Sequence, residues 1–397
     1  MSETIIRIAA KGDGLTASGR HVAGGVPGDA VEPDGTLVPG PHHVDPPCRH
    51  FPQCGGCQLQ HADEVALAQF VSDRVTFAAE SQGLVPETLA PPHLSPPRSR
   101  RRATLHAARL GKKTVIGFRE GGSHRIVDMA ECHILHPRLF ALVAPLRQLL
   151  TAWPGRLAAD IQLTLIDQGV AAEIKGISAE NLAQTEALLD FARDQSLARL
   201  SIDEGFGPEP VWEPEPATVT LGGVPVGFPH GAFLQPTGDG EAALLSAARD
   251  WCEGHGVVAD LFAGLGTFAF GLAGSTKVLA AEADRAAHLA CQAAARGSGK
   301  PVHALHRDLF RDPLTPEEIS RFGCILLDPP RAGARNQADA IAQSTVARVA
   351  YVSCNPQSWA RDARRLADGG FRLAELRPVG QFRWSTHVEL ASLFLRD

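Results

Sequence analysis

Residues 348 to 356, Arg-Val-Ala-Tyr-Val-Ser-Cys-Asn-Pro, put a thiol where a thiol can act as a nucleophile. An apolar β-prone run, Val349 to Val352, stops at Ser353-Cys354-Asn355, and Pro356 opens a helical pattern through Ala367 that ends at Asp368-Gly369-Gly370. Cys354 therefore stands on a strand-to-helix corner, with Asn355 suited to the N-cap and Pro356 to the first helical position. Unpaired N–H groups and the positive end of a helix dipole beside the sulfur predict a lowered thiol pKa. A second cysteine feature is Cys48-Arg-His-Phe-Pro-Gln-Cys54-Gly-Gly-Cys57, whose glycine pair lets the backbone wrap closely round a metal centre. Cys132 is the nearest remaining cysteine and completes a set of four. Four thiolates hold zinc or an iron–sulfur cluster. One short C-x2-C unit with two scattered partners leans toward iron–sulfur; His50, His61 and His133 are the nearby substitutes.

A third constellation is a row of acids and glycines at the ends of β-prone runs. Asp260-Leu-Phe-Ala-Gly264-Leu-Gly266-Thr267 follows one such run and opens a helix, so its glycines let the backbone approach a ligand. The third glycine of a pyrophosphate-binding fingerprint is absent, which counts against NAD and ATP. The next run ends at Glu282, where a carboxylate can accept both ribose hydroxyls, and Asp308 follows the third, a place for an adenine edge. This pattern resembles a class I S-adenosylmethionine site.

The elements that must position these groups change in character along the chain. Residues 1–46 are Gly- and Pro-rich with short β-prone pieces at Thr4 to Ala9, Arg20 to Val22 and Ala30 to Val31, which fits a small, incompletely closed barrel. Helical spacing over His61 to Gln82 precedes a Pro-rich linker at 84–97. The middle third reads as α+β: a hairpin from Arg101 to Phe118, strands at Ile161 to Ile166 and Val170 to Ile174, helices at Leu139 to Leu150 and Glu180 to Ala192, then a linker from Glu204 to Pro216. From Val257 strands and helices alternate to a β-rich end, the pattern of a parallel sheet covered on both faces.

The chain has 397 residues, 44% hydrophobic and 21% charged, enough for two or three domains. Neither a secretory leader nor a membrane-length apolar run stands out, so a cytoplasmic protein is expected, with no membrane partner and no obligatory protein partner, and a monomer. Crowded cysteines in such a chain argue for metal over disulfides. Net charge is −6, yet the segment from Arg98 to Arg138 holds ten Lys/Arg against three acids, a local basic patch suited to phosphates. Within it, Arg100, Arg101 and Arg102 are the expected phosphate contacts.

Taken together, Cys48 to Gln60, Gly117 to Cys132, Phe233-Leu-Gln235, Asp260 to Phe268, Leu327-Asp-Pro-Pro-Arg-Ala-Gly333, Val352 to Pro356 and His387-Val-Glu389 resemble the RNA uracil-5 methyltransferase family, in family order. The resemblance implies three parts: a TRAM-like small β-barrel at 1–46, a central α+β domain with an iron–sulfur cluster and RNA-binding patch at 47–235, and an S-adenosylmethionine-dependent methyltransferase domain with a doubly wound α/β sheet at 236–397. It implies that Cys48, Cys54, Cys57 and Cys132 hold a 4Fe–4S cluster and that Gln235, Phe262, Thr267, Glu282, Asp308 and Asp328 contact the methyl donor. Cys354 would be the nucleophile and Glu389 the base, acting on a uridine of rRNA or tRNA. Two features depart from the family pattern: the first domain is short, and the loop Phe382-Arg-Trp-Ser-Thr-His387 lacks the expected Pro-His-Thr. Trp384 in that loop stacks on a base or belongs to the core.

Uracil C5 is a poor nucleophile, so a thiolate must add to C6 first, and a carboxylate must later take the C5 proton before the thiolate leaves. Arg331 is a candidate donor to the charge that develops on the base. Asp328-Pro-Pro also resembles the motif of exocyclic-amine methyltransferases, but Arg331 stands at its aromatic position and such chemistry has no use for Cys354. A non-catalytic iron–sulfur RNA-binding protein is the alternative from another class.

Overall fold

The computed structural model of the chain describes residues 2–274 and 276–397. β1 (Glu3–Ile8), β2 (Gly14–Thr16), β3 (His21–Val22), β4 (Ala30–Val31) and β5 (Leu37–Val38) form one antiparallel sheet in the order β3-β2-β1-β4-β5. Its two outermost strands are only two residues long and do not pair with each other, so the expected barrel is an open half-barrel.

The cysteine loop follows, then α1 (Glu64–Glu80), which begins where the Asp63 carboxylate accepts the Ala66 N–H at 2.8 Å. The Pro-rich stretch expected as a linker contains β6 (Thr88–Leu89) and β7 (His93–Leu94). The central sheet is built from β8 (Arg102–Leu110), β9 (Lys113–Gly117), β10 (Ala158–Ile166), β11 (Gly169–Lys175), β12 (Arg199–Asp203) and β13 (Pro208–Trp212), in the order β13-β12-β11-β10-β8-β9. Only β11 and β12 run parallel in it. β13 lies inside the stretch that its Glu, Gly and Pro content suggests is a linker; pairing with β12 overrides that composition. α2 (Pro137–Phe140), α3 (Val143–Ala152) and α4 (Leu182–Asp194) belong to this unit, whose core joins Leu146, Leu150, Leu188 and Phe191 of the helices to Ile161, Leu163, Ile174 and Leu200 of the sheet. A hairpin of β14 (Thr218–Leu221) and β15 (Val224–Gly227) leads on.

The C-terminal unit runs α5 (Gly238–Cys252), β16 (Val258–Leu261), α6 (Thr267–Leu272), β17 (Val278–Glu282), α7 (Arg285–Ser298), β18 (Val302–His306), α8 (Pro316–Ile319), β19 (Cys324–Leu327), α9 (Arg335–Gln343), β20 (Arg348–Ser353), α10 (Pro356–Asp368), β21 (Arg372–Gly380) and β22 (Glu389–Leu395). Five parallel strands in the order β18-β17-β16-β19-β20 are completed by antiparallel β22 and then β21, the α/β sheet expected. Its strands are apolar on both faces, as a doubly covered sheet requires: Ile325, Leu327 and Tyr351 lie in one core cluster and Leu326, Ala350 and Val352 in the other.

β6 and β7 extend this sheet by pairing in parallel with β21, and α1 packs its Leu67, Phe70, Val71 and Val75 into the same core as Trp359, Ala363 and Leu366 of α10. Residues 64–94 thus fold onto the C-terminal sheet, far from them in sequence. Trp359 ties the layers together, fully buried, with its indole N–H donating to Ser392 Oγ at 2.9 Å. Among the described residues, no helix is long and apolar enough to cross a membrane.

Candidate active site

The corner that carries Cys354 forms as its residues dictate. Asn355 caps α10, its side-chain oxygen accepting the Gln357 N–H at 3.2 Å, and Pro356 occupies the first turn. The Asn355 amide also donates to the Arg331 carbonyl at 2.9 Å, tying the corner to the Asp328-Pro-Pro-Arg331 loop. That loop is anchored from behind by the buried Asp362 carboxylate, which accepts the Ala334 N–H at 2.6 Å and the Tyr351 hydroxyl at 2.7 Å. Gly333 must be glycine here: its φ is +85° and a Cβ would lie 2.5 Å from Asp362 Oδ2.

β20 and β22 pair antiparallel with Ser353 opposite Leu390, so the next position in the register sets Cys354 opposite Glu389. Glu389 is 3% exposed and is further held by β21, where it faces Val379. Gln381, at the end of β21, lies beside Glu389 and donates its amide to Gln235 Oε1 at 2.9 Å. Cys354, Glu389, Asp328, Gln381 and Gln235 therefore meet at one end of the sheet. Gln381 was not anticipated. It sits at the end of a late strand and meets Gln235 across 146 residues, a contact no local pattern announces.

The remaining acids line the carboxyl ends of the parallel strands. Phe262 leaves β16 with a left-handed backbone, φ +67°, and its ring lies 5.3 Å from that of Phe310. Glu282, at the end of β17, accepts the Gly264 N–H at 2.8 Å and the Asp284 N–H at 2.6 Å, so it braces the glycine turn. A Cβ on Gly264 would meet nothing within 4 Å, whereas one on Gly266 would press on the Phe270 ring at 2.9 Å and Cys291 Sγ at 3.0 Å. The first glycine faces an open crevice and the second allows tight packing. Thr267 starts α6, and Asp308 follows β18, accepting the Phe310 N–H at 3.0 Å.

The electrostatics of this crevice are those of carboxyls stripped of water. Asp260 is completely buried in β16, and among the described residues neither of its oxygens has a hydrogen-bond partner. Burial first, and then neighbouring Asp328, push its pKa up to about 8. Burial raises Asp328 to about 7. Glu389 rises to about 8, through burial and then Asp328. Cys354 departs from expectation. Burial and then the Glu389 and Asp328 carboxylates raise the thiol pKa to about 11, outweighing smaller downward pulls from Arg331 and from the backbone N–H at the corner.

The four cysteines Cys48, Cys54, Cys57 and Cys132 line one partly open pocket, walled also by His50, Phe118, Met129 and His133. His61 lies elsewhere, its ring tilted against those of His43 and Phe51. Burial raises all four thiols, Cys57 to about 12. Among the described residues no three His, Cys, Asp or Glu side chains converge tightly enough for a single metal ion. The cysteine loop also grips the loop before Glu389: the Gln58 and Leu59 N–H groups donate to the Trp384 carbonyl at 2.7 and 2.9 Å. Trp384, 8% exposed and with φ +58°, is core and not a free stacking surface.

The arginines expected on phosphates have structural work instead. Arg100 is largely buried between the rings of Phe118 and Phe382, its guanidinium 5.7 and 5.4 Å from them, near Cys132 and Cys57. Arg101 pairs with Glu241 at 2.6 Å and donates to the Gln235 carbonyl at 2.9 Å. Arg102 covers the Phe233 ring at 5.1 Å and donates to the Leu234 carbonyl at 3.3 Å. The triplet builds the loop that ends in Gln235.

Comparison with known proteins places the chain. Residues 314–397 match the tRNA (uracil-5-)-methyltransferase family. An uncharacterized RNA methyltransferase of Zymomonas mobilis is 48% identical over 393 residues, 99% of both chains. The 23S rRNA (uracil(1939)-C(5))-methyltransferase of Pectobacterium atrosepticum is 29% identical over 91% of this chain and 82% of its own. In fold, the Pyrococcus abyssi tRNA (uracil-54, C5)-methyltransferase, solved with S-adenosyl-L-homocysteine, superposes with a TM-score of 0.77 over 100% of both chains at 19% identity.

The raised carboxyls set a pH dependence. The native state holds protons on Asp260, Asp328 and Glu389 up to about 7 or 8, whereas unfolded carboxyls release theirs near pH 4. Between these limits the native state binds more protons, so these groups contribute stability that is full at the acid end and falls as pH rises through about 8. Denaturant unfolding of the ligand-free protein from pH 5.5 to 8 should show Asp260→Asn gaining on wild type as pH rises. A difference that does not change with pH would mean Asp260 is ionised throughout.

Proposed function

This chain belongs to the S-adenosylmethionine-dependent RNA (uracil-5-)-methyltransferase family, and we propose that it methylates C5 of a uridine in large-subunit rRNA through a covalent bond from Cys354 to C6. The observation that supports this reading is the pairing of β20 with β22, whose last pair, Ser353 with Leu390, brings Cys354 and Glu389 to the same end of the sheet, near enough for the carboxylate to raise the thiol pKa. A nucleophile and a base on the same small site are what C5 chemistry requires and what amine methylation does not. The rRNA assignment draws on the Pectobacterium relative, named for uracil 1939 of 23S rRNA.

Each residue then has a task. Cys354 adds to C6 of the uracil, which makes C5 an enolate-like carbon able to attack an electrophile. Arg331, whose backbone is pinned by Asn355, lies near the thiol, favours its ionised form and is available to the developing charge on the base. When bound, S-adenosylmethionine supplies an electrophilic methyl group. Gln235, Phe262, Thr267, Glu282, Asp308 and Asp328 would hold it along the strand ends. Glu389 then takes the C5 proton, and the electrons return to expel the Cys354 thiolate. The half-barrel at 1–46 and the central sheet within 47–235 would hold RNA, and 236–397, with residues 64–94 folded onto its sheet, would perform the chemistry.

Cys48, Cys54, Cys57 and Cys132 would hold a 4Fe–4S cluster. Their fit to it rests on four thiols that line one pocket, with the Arg100 guanidinium near two of them to offset the charge of thiolate-ligated iron. The methyl transfer moves no electron through it, so its work is to fix the loop that grips Trp384.

Two outcomes test this. The purified protein, given labelled methyl donor and bulk RNA from a strain lacking its gene, should yield 5-methyluridine on nucleoside digestion, and Cys354→Ala should bind RNA without turnover. Label appearing on an exocyclic amine would replace the uracil-5 reading. Anaerobically purified protein should carry about four iron per chain and absorb broadly in the visible; stoichiometric zinc without iron would remove the cluster from the account.

A further inference from the structure

α1 buries one stripe, Leu67, Phe70, Val71, Val75 and Ala78, against β21 and α10. Arg74 stands inside that stripe, three residues after Val71 and four after Phe70. It is half-buried, and among the described residues its Nε is shut off from solvent without a hydrogen-bond partner. Burial lowers its pKa, and no carboxylate offsets that loss. A charge in a core stripe destabilises the fold unless it is paired, so packing alone would be better served by an apolar side chain here.

The direction of Arg74 shows what it faces. Helical side chains lean toward the N-terminal turn, here the one that holds Phe70 and Val71. Those two side chains meet Phe382, Arg383, Trp384 and His387, all of the loop before β22, around one shallow depression. His387 is exposed two residues before Glu389, with its ring 5.8 Å from that of Phe382. Arg331 is exposed on the loop after β19 and lies near the Cys354 thiol. Burial and then Arg331, Arg100 and Arg74 lower the pKa of His387, and no carboxylate is among the groups that act on it. Basic groups from α1, from the loop after β19 and from the loop before β22 thus converge on the mouth of the active site, beside Cys354 and Glu389.

A partly desolvated guanidinium next to an imidazole and a second arginine, with no acid to neutralise them, suits an anion. An uncharged base would leave the charge unanswered. A phosphodiester answers it with one negative charge and two accepting oxygens, and every nucleotide of an RNA strand brings one. The carboxylate of the methyl donor is the other anion at hand, but α1 packs at β21, whereas Phe262, Thr267, Glu282 and Asp308 follow β16, β17 and β18 at the other side of the sheet.

We propose that Arg74 and His387, beside Arg331, form a phosphate clamp at the mouth of the active site, which holds one phosphodiester of the RNA strand next to the target uridine. Its work is positioning: with the backbone fixed there, the base is directed toward Cys354 and Glu389. The inference rests on the reading that the chain acts on RNA.

Arg74→Met keeps the stem of the side chain and removes the charge, and the full-length protein with bulk RNA from a strain lacking its gene is the system to test. The KM for RNA should rise roughly tenfold, the scale of one lost charge-assisted hydrogen bond. The slope of log KM against log salt should fall by about one, the share of a single phosphate contact. Affinity for S-adenosylhomocysteine should not change, and the denaturant midpoint of the ligand-free variant should rise, because an unpaired charge has left the core stripe. Arg74→Lys should keep most of the salt slope, and His387→Ala should raise KM in the same direction, with His387→Gln restoring part of the loss through its N–H donor. An unchanged salt slope in Arg74→Met would overturn the clamp. So would a raised KM together with a lowered midpoint, which would make Arg74 a packing residue, or weaker S-adenosylhomocysteine binding at an unchanged RNA slope, which would give the anion to the methyl donor. Each of these leaves the RNA reading standing if the wild type still methylates RNA. A wild type that neither binds nor methylates RNA would overturn both.

Discussion

Antiparallel pairing between β20 and β22 is the constraint on which the site depends. Ser353 opposite Leu390 leaves Cys354 opposite Glu389, and side chains alternate along a strand, so a slip of one residue would turn either group away from the other. The register is held by burial on both faces: Val349, Tyr351 and Phe394 pack with α10, while Ala350, Val352 and Ala391 pack with α5. Two separate loops complete the arrangement. The loop after β19 is pinned by Asp362 and Asn355, and the loop before β22 is gripped through Trp384 by the cysteine loop.

That second grip connects the cysteine cavity to the chemistry. The backbone N–H groups of Gln58 and Leu59 both end on the Trp384 carbonyl, and Arg100 spans from the cavity to Phe382. The residues between Gln381 and Glu389 have little regular structure of their own, so their conformation is borrowed from the cysteine loop and from α1 beneath them. A group bound by the four thiols would stiffen this support without joining the reaction.

What could be read in the sequence was what local physics decides. Asn355-Pro356 after an apolar run specifies a strand-to-helix corner whatever surrounds it, and the alternation after Val257 specifies a parallel sheet. What could not be read was decided by distant contacts. The helix N-terminus argues for an acidified Cys354, but desolvation and two carboxylates from other strands outweigh it. Arg100, Arg101 and Arg102 look like a phosphate patch, yet Phe118, Phe382, Glu241 and the 234–235 carbonyls claim them. Segments 84–97 and 204–216 have linker composition and still contribute strands, because β21 and β12 have unfilled edges for them. Gln381 and the orphaned carboxylate of Asp260 became visible only once the strands were assembled.

The central claim is that Cys354 and Glu389 act on opposite sides of one covalent intermediate. Glu389→Gln leaves addition and methylation possible but blocks removal of the C5 proton, so elimination of the cysteine stalls. Incubated with methyl donor and substrate RNA, this variant should accumulate a methylated enzyme–RNA adduct that survives denaturing electrophoresis and maps by mass spectrometry to Cys354. Turnover at the wild-type rate, or an adduct that persists when Cys354→Ala is added to Glu389→Gln, would contradict the account.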